Sequence, residues 1–248
     1  MNWVYLSPHA DDAALSLGGL IWEQAHIGDH PQILTICAGD PPPGAFSDFA
    51  EMLHERWQAG REAPVQRRKE DEASSAILGA EYRHLTVPDC IYRLSPHSGA
   101  HLYDSEEALF GPLHPEEQDL VNSLRDDLAA CLPDSAQIVC PLALGGHVDH
   151  RLTRLAAEGL DRRLWYYAEY PYVLEAGQQV EELRRNGWRA VIFPLSQEAR
   201  QAWQQAVAAY ASQISSFWDN LSKMQADLRA FEAQVGGIAL WRPLDSFD

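Results

Sequence analysis

Short apolar runs, broken by polar and glycine-rich interruptions, set the rhythm of the first part of the chain. Met1–Leu6 (MNWVYL) is β-prone and predicts a buried first strand. Ser7–Asp12 is polar. From Ala13 onward Leu17, Leu20 and Ile21 recur at helical spacing to about His26, Gly28-Asp29 closes that helix, and Pro31–Cys37 (PQILTIC) predicts a second buried strand. Strand, loop, helix and strand within ~40 residues form a βαβ unit, whose crossover favours a parallel sheet covered by helices.

The pattern continues in the same sense. Gly39–Gly44 (GDPPPG) is loop. Helices are predicted at Gln66–Leu78 (with Gly79 as its C-cap), at Glu116–Leu132 and from Arg151 to about Leu160. Strands are predicted at Arg83–Val87, Gln137–Cys140, Leu164–Tyr167 and Ala190–Pro194. Pro88–Pro115 holds four prolines and little periodicity, which suits a long functional loop. From Trp203 apolar residues fall at 203, 207, 210, 214, 217, 221, 224, 228, 231 and 235, a helical alternation of four and three. One continuous coiled coil satisfies it. Two helices broken near Ser215–Asn220 and packed on the sheet satisfy it better, since the stretch is long for one globular helix. The same stripe suits core packing or contact between copies, so a homo-oligomer stays open. The expectation is one α/β domain over residues 1–248, with a mostly parallel, Rossmann-like sheet, helices on both faces and a helical C-terminal part over about 196–235.

Composition narrows the function classes. At 248 residues and 46% hydrophobic the chain can bury one sizeable core. Its 36 acidic against 19 basic side chains give a formal charge of −17, a surface that repels phosphate backbones and anionic lipid. Nucleic acid and membrane are therefore not expected partners. Cys37, Cys90, Cys131 and Cys140 contain no Cys-x-x-Cys and fit neither a zinc ribbon nor a disulfide scaffold, so buried free thiols are expected. No apolar run approaches the ~20 residues of a membrane span. The first basic residue is Arg56, too late for a signal peptide, and a cytoplasmic location is expected.

Chemistry concentrates in two polar clusters, each in a predicted strand-to-helix loop: Ser7-Pro8-His9-Ala10-Asp11-Asp12 and Gly145-Gly146-His147-Val148-Asp149-His150. In a parallel sheet such loops gather at the carboxyl ends of the strands, where ligands bind. His9 and Asp12 are three apart, as are His147 and His150, so each pair can share one side of a helical first turn. Two imidazoles and a carboxylate form a recurrent ligand set for catalytic zinc, and equally for non-haem ferrous iron. Asp11 is then a spare carboxylate placed to act as base. His147 is a spare imidazole suited to a developing oxyanion, with Asp149 orienting it. The plainer reading makes Asp11 and Asp12 helix caps and 147–150 a solvated turn. Complementary ligand counts at corresponding loop ends weigh against it.

Weaker features carry less. The aromatic run Leu164–Tyr172 suits a core strand better than a sugar-stacking surface. Gly18-Gly19 lacks the spacing of a dinucleotide loop. His84, His97, His101 and His114 could reach a metal or substrate, but most read as solvated loop residues, and Glu116-Glu117 as first-turn helix charges.

Ser-Pro-His-Ala-Asp-Asp-Ala-Ala-Leu-Ser-Leu-Gly-Gly (Ser7–Gly19) together with Pro141-Leu-Ala-Leu-Gly-Gly-His-Val-Asp-His150 resembles the PIG-L/LmbE-like N-acetylglucosaminyl deacetylase family. Arg67-Arg-Lys-Glu70 looks like its Arg-x-x-Glu helix, Val87-Pro88-Asp89 like its substrate-loop aspartate, and Tyr210-Ala-Ser-Gln213 like its late Tyr-x-Ser-Gln segment. The resemblance implies a Rossmann-like fold and zinc-dependent removal of an acetyl group from an amino sugar, a small-molecule substrate. It maps metal ligands onto His9, Asp12 and His150, the general base onto Asp11, an assisting pair onto His147 and Asp149, and sugar contacts onto Arg67 and Asp89. Ala10 and Ala13 replace the family's usual proline and glutamate. Gly145 stands where some members place a tyrosine near the oxyanion.

Overall fold

A parallel βαβ unit starts the frame. β1 (Asn2–Ser7) leads into α1 (Asp12–His26) and returns as β2 (His30–Thr35), with Asn2 opposite His30 and Ser7 opposite Thr35. Next come α2 (Asp48–Trp57), α3 (Ala63–Leu78), β3 (Glu81–His84), the single turn α4 (Glu106–Leu109), α5 (Gln118–Cys131) and β4 (Gln137–Pro141). α6 (Val148–Glu158), β5 (Leu164–Tyr167), α7 (Gly177–Arg185) and β6 (Trp188–Phe193) follow. The chain closes with α8 (Gln197–Ala208), α9 (Ala211–Phe217), α10 (Leu221–Val235) and β7 (Ile238–Pro243). The computed structural model describes residues 1–57 and 60–244.

The seven strands lie in the order β3-β2-β1-β4-β5-β7-β6. The first five are mutually parallel, and β7 runs antiparallel to both β5 and β6. The chain builds outward from β1 to β3, then returns to lay β4 on the other side of β1. Strand order therefore reverses between β1 and β4, and that reversal opens a crevice at their carboxyl ends. Both polar clusters follow these two strands.

Alternating side chains bury both faces. Trp3 and Tyr5 pack with Leu17, Leu20 and Ile21 of α1, Trp203 of α8 and Leu228 of α10. Val4 and Leu6 pack on the opposite face with Leu124 and Leu128 of α5 and Leu152 of α6. Two covered faces explain why these strands read as nearly continuous apolar runs. Gly18 and Gly19 are close-packing positions rather than ligand loops. A Cβ at Gly18 would lie 2.5 Å from Trp203 Cδ1, and one at Gly19 2.5 Å from Leu195 Cδ1.

Several expectations change. The 203–235 stripe breaks over 218–220, within the expected 215–220, and also at Tyr210, so it forms parts of three helices rather than two. Tyr210 turns inward with its hydroxyl 2.7 Å from the Ala10 carbonyl and 2.7 Å from Asp71, while Asn220 caps α10 through Lys223 N–H. α6 starts at Val148 rather than Arg151, because His147 Nδ1 accepts the Asp149 N–H at 3.2 Å. The 88–115 loop is pinned by buried Ile91, Tyr92 and Tyr103, which join Ala50 of α2 in a third apolar cluster. α2, α7 and β7 fall outside the elements that the pattern predicts. All four cysteines are free, three of them buried. Among the described residues no helix is long and apolar enough to cross a membrane.

Candidate active site

Local folding aims the first cluster. Ser7 Oγ accepts the Ala13 N–H at 3.0 Å and donates to the His9 carbonyl, folding the loop over the first turn of α1. His9 N–H donates to Asp12 Oδ2 at 2.8 Å. Asp11 occupies the N-cap position, yet its side chain makes no capping bond. Its Oδ1 accepts instead from Arg67 Nη2 at 3.1 Å. The plainer cap reading of Asp11 therefore fails on geometry.

Because β1 and β4 are adjacent, clusters 138 residues apart in sequence meet. Asp12 Oδ2 lies 3.3 Å from His9 Nδ1 and 3.3 Å from His150 Nε2. Each imidazole is held from behind. His9 Nε2–H donates to Asp149 Oδ2 at 2.9 Å, and His150 Nδ1–H donates to Glu169 Oε1 at 3.0 Å. Carboxylates only accept, so those ring nitrogens carry protons, and His9 Nδ1 and His150 Nε2 are left facing Asp12. His150 Nε2 is buried without a hydrogen-bond partner. Facing one carboxylate oxygen, the two rings require positive charge between them, supplied by protons on these nitrogens or by a cation.

The wider charge balance agrees. Of six buried carboxylates, Asp11 and Asp89 pair with Arg67 and Glu117 and Asp149 with Arg93, which leaves Asp12 and Glu169 to the imidazoles. Burial alone would lower the His150 pKa, but Asp12 and Glu169 outweigh it and lift it to about 9. Burial would raise Asp12, and His150 and His9 instead hold it well below the usual carboxylate range. Two nitrogens and one oxygen, each anchored, fit a divalent cation of borderline softness. A ring nitrogen of His147 also lies within 4.8 Å of those of His9 and His150.

The remaining expected residues take these places. Asp149 does not orient His147. Its carboxylate is occupied by His9, the Cys90 N–H at 3.0 Å and the Arg93 guanidinium, while His147 Nδ1 accepts the Asp149 backbone N–H. Burial and the neighbouring His9 push His147 well below its ordinary value, so it is neutral with its proton on Nε2. Burial raises the Asp11 carboxyl, with Arg67 opposing and Asp12 reinforcing. Arg67 bridges Asp11 and Asp89, its Nη1 3.5 Å from Asp89 Oδ2. Asp89 also accepts the Ile91 N–H at 3.3 Å. Glu117 is no solvated helix charge. It is 3% exposed, 2.5 Å from Arg93 Nε and 2.5 Å from the Tyr103 hydroxyl, because the loop delivers Arg93 into the same dry region. His84 bonds Asp71 and His114 accepts the Glu116 N–H; like His97 and His101, neither lines the cleft.

Arg93, Trp57 and Phe110 are among the site residues that escape the sequence reading, while Glu169, Tyr172 and Phe217 were seen only as parts of core elements. Glu169 follows β5, the next strand along, so an acid just past a third parallel strand was the available signal. Within the aromatic run Tyr166, Tyr167 and Tyr170 are buried, as a core strand requires, but Tyr172 lines the cleft. Its ring fills the space a side chain at 145 would need, since a Cβ on Gly145 would lie 2.3 Å from Tyr172 Cδ1.

The chain matches the family model of GlcNAc-PI de-N-acetylase (PIG-L) over residues 4–159. It is 28% identical over 210 residues to a 2'-N-acetylparomamine deacetylase of Niallia circulans, a match spanning 75% of this chain and 72% of that one. The protein of the same description from Streptomyces fradiae is 31% identical over 185 residues, spanning 70% of this chain and 57% of its own. The crystal structure of the zinc-inhibited form of teicoplanin deacetylase Orf2 superimposes with a TM-score of 0.81 over 97% of this chain and 96% of that one, at 29% identity.

Proposed function

The chain belongs to the GlcNAc-PI de-N-acetylase (PIG-L) family, and from that premise we propose that it is a metal-dependent deacetylase acting on an N-acetylated amino sugar or sugar conjugate. The observation that carries this reading is the convergence of His9 Nδ1 and His150 Nε2 on one oxygen of Asp12. These three residues are assigned to a divalent cation, zinc first and ferrous iron as the alternative. When bound there, such a cation polarises the acyl carbonyl and lowers the pKa of water toward ~7. The relatives described as 2'-N-acetylparomamine deacetylases support the same substrate class.

The chain's own residues divide the remaining work. Asp11, buried and raised in pKa, takes the proton from the attacking water as oxygen adds to the amide carbon. His147, neutral with its proton on Nε2, donates to the oxygen of the tetrahedral intermediate. Asp11 then returns its proton to the amine, the C–N bond breaks, and acetate and the free amino sugar leave. Asp149 keeps His9 aligned rather than His147. Asp89 holds a sugar hydroxyl. Arg67 both meets the sugar and fixes Asp11, so its loss affects kcat as well as KM.

The test separates base from ligands. Asp11→Asn is expected to keep metal content and melting temperature while losing ~10²–10⁴-fold in kcat. His9→Ala and Asp12→Ala are expected to lose the metal itself. Metal analysis of protein purified without added metal, paired with acetate release from N-acetylated amino sugars, reads both. Wild-type turnover in Asp11→Asn, or full metal content in Asp12→Ala, would overturn the assignment.

A further inference from the structure

One buried guanidinium has no part in the chemistry above. Arg93 is 6% exposed and does not line the cleft, so it meets no substrate. A cation in so dry a place must be paired, and a planar fork of five donors can hold two carboxylates at once. On one side Arg93 Nε lies 2.5 Å from Glu117 Oε1, and Nη2 donates to Glu117 Oε2 at 3.3 Å. On the other, Nη1 donates to Asp149 Oδ1 and, at 3.2 Å, to the Pro88 carbonyl. Glu117 also accepts the Tyr103 hydroxyl at 2.5 Å, and that hydroxyl oxygen accepts the His114 N–H at 2.8 Å. Both ends of the 88–115 loop therefore close on a single side chain.

Asp149 is where this closure meets the centre. It is unexposed, and both its oxygens are committed. Oδ2 accepts from His9 Nε2 at 2.9 Å and from the Cys90 N–H at 3.0 Å, while Oδ1 is held by Arg93. A carboxylate turns easily about its last torsion, so a partner on Oδ1 decides where Oδ2 points. Without Arg93 one oxygen stays buried and unpaired, and the group is free to turn away from His9. His9 then loses the support that aims its Nδ1 at Asp12, 3.3 Å away. The loop holds Asp149 through Cys90 and Arg93, and Asp89, which precedes Cys90, reaches Arg67 at 3.5 Å. One anchor thus serves both His9 and Asp89.

We infer that Arg93 is a positioning residue: it fixes the Asp149 carboxylate that aims His9, and it makes order in the 88–115 loop a condition for holding a cation. This rests on the deacetylase reading for what the cation does, and extends it to what keeps the cation in place.

Zinc affinity, read by competition with a chelator, tests it. Arg93→Gln is expected to weaken zinc binding by ~10–100-fold. Arg93→Lys, a point charge unable to span Asp149 and Glu117, is expected to recover only part of that loss. Glu117→Gln, which keeps an acceptor for Arg93, is expected to stay near wild type. Coupling is reciprocal, so zinc is expected to slow amide hydrogen exchange across residues 88–115 in the wild type, and to slow it less in Arg93→Gln. Should Arg93→Gln fail to fold because Glu117 is stranded, Arg93→Gln/Glu117→Gln removes that charge and is expected to show the same loss of affinity. A folded Arg93→Gln with a lower melting temperature but wild-type zinc affinity would reduce Arg93 to packing and overturn the inference. Loop exchange indifferent to zinc in the wild type would overturn it as well. Zinc affinity that falls in Arg93→Gln, with no acetate released by the wild type from N-acetylated amino sugars, would keep the role of Arg93 and overturn the deacetylase reading. Acetate release with zinc affinity indifferent to Arg93 would do the reverse.

Discussion

Single residues near the centre act in pairs of faces, one toward Asp12 and one toward a supporting carboxylate. His150 shows this most plainly. Its Nδ1–H is spent on Glu169, both groups being essentially unexposed, which fixes the tautomer and the ring angle that aim Nε2. Outer partners of this kind typically tune metal affinity 10–100-fold. Glu169→Ala is therefore expected to weaken zinc binding by ~10–100-fold, read by competition with a chelator, while Glu169→Gln, which keeps an acceptor oxygen, recovers most of it. Equal affinities in wild type and Glu169→Ala would show that packing alone holds the ring. The contrast between Glu169 and His9 also explains what was legible. His9, Asp12, His147 and His150 announce themselves by spacing within two short segments. Glu169 and Arg93 are lone charges in unremarkable surroundings, and only the sheet brings them to the same place. The role of Asp149 was misread for a related reason: adjacency in sequence pointed to His147, but the first turn of α6 turns its carboxylate toward His9 instead.

At the scale of elements, α2 is the least legible and among the most consequential. Its apolar positions, Phe49, Ala50, Met52, Leu53 and Trp57, are interleaved with Asp48, Glu51, Glu55 and Arg56 over only ten residues, too short a stretch for the periodicity to stand out. Yet it walls the cleft with Leu53 and Trp57 and docks through His54, whose Nε2 lies 2.6 Å from the Tyr92 hydroxyl. The Tyr92 pKa is raised, chiefly by burial, so that hydroxyl stays protonated and donates; His54 must be neutral to accept. Burial pushes His54 below its ordinary value, against a weaker pull from Asp89. As pH falls through the ordinary histidine range near 6.5, the unfolded chain takes up the proton before the folded one does, so this contact loses stability with acidification. The drop in melting temperature between about pH 7.5 and about pH 5.5 is expected to be smaller in His54→Gln, which keeps an acceptor without a titration. An equal drop in both proteins would remove His54 from the account. By contrast the parallel strands were legible, because burial on both faces leaves runs such as Trp3–Leu6 and Ile33–Ile36 almost wholly apolar.

For the molecule as a whole, the question is whether the last third is an appendage or part of the machine. The family match ends at residue 159, yet Glu169, Tyr172 and Phe217 lie beyond it, and Tyr210 reaches back to the Ala10 carbonyl inside the first cluster. Helical periodicity revealed that residues 203–235 are helical. It could not reveal the break at Tyr210, because a stripe with a period near 3.5 continues undisturbed through that residue, where tertiary hydrogen bonds interrupt the helix. The strongest joint is Trp203. It is 1% exposed, its indole N–H donates to the Ala14 carbonyl at 2.8 Å, and its ring lies against α1 at Gly18. α1 begins with Asp12, so whatever loosens Trp203 loosens the element that carries the centre. We therefore propose that the described residues form one cooperative unit. Truncating a fully buried Trp to Ala typically costs ~3–5 kcal/mol. Trp203→Ala is expected to lower the melting temperature by roughly 6–20 °C, at about 2–4 °C per kcal/mol for a chain of this size, in a single transition seen alike by backbone and aromatic circular dichroism, and to weaken metal retention in parallel. If α8–α10 were an independent module, the variant would melt in two steps, the earlier one helical and without loss of metal, and that result would detach the C-terminal helices from the site.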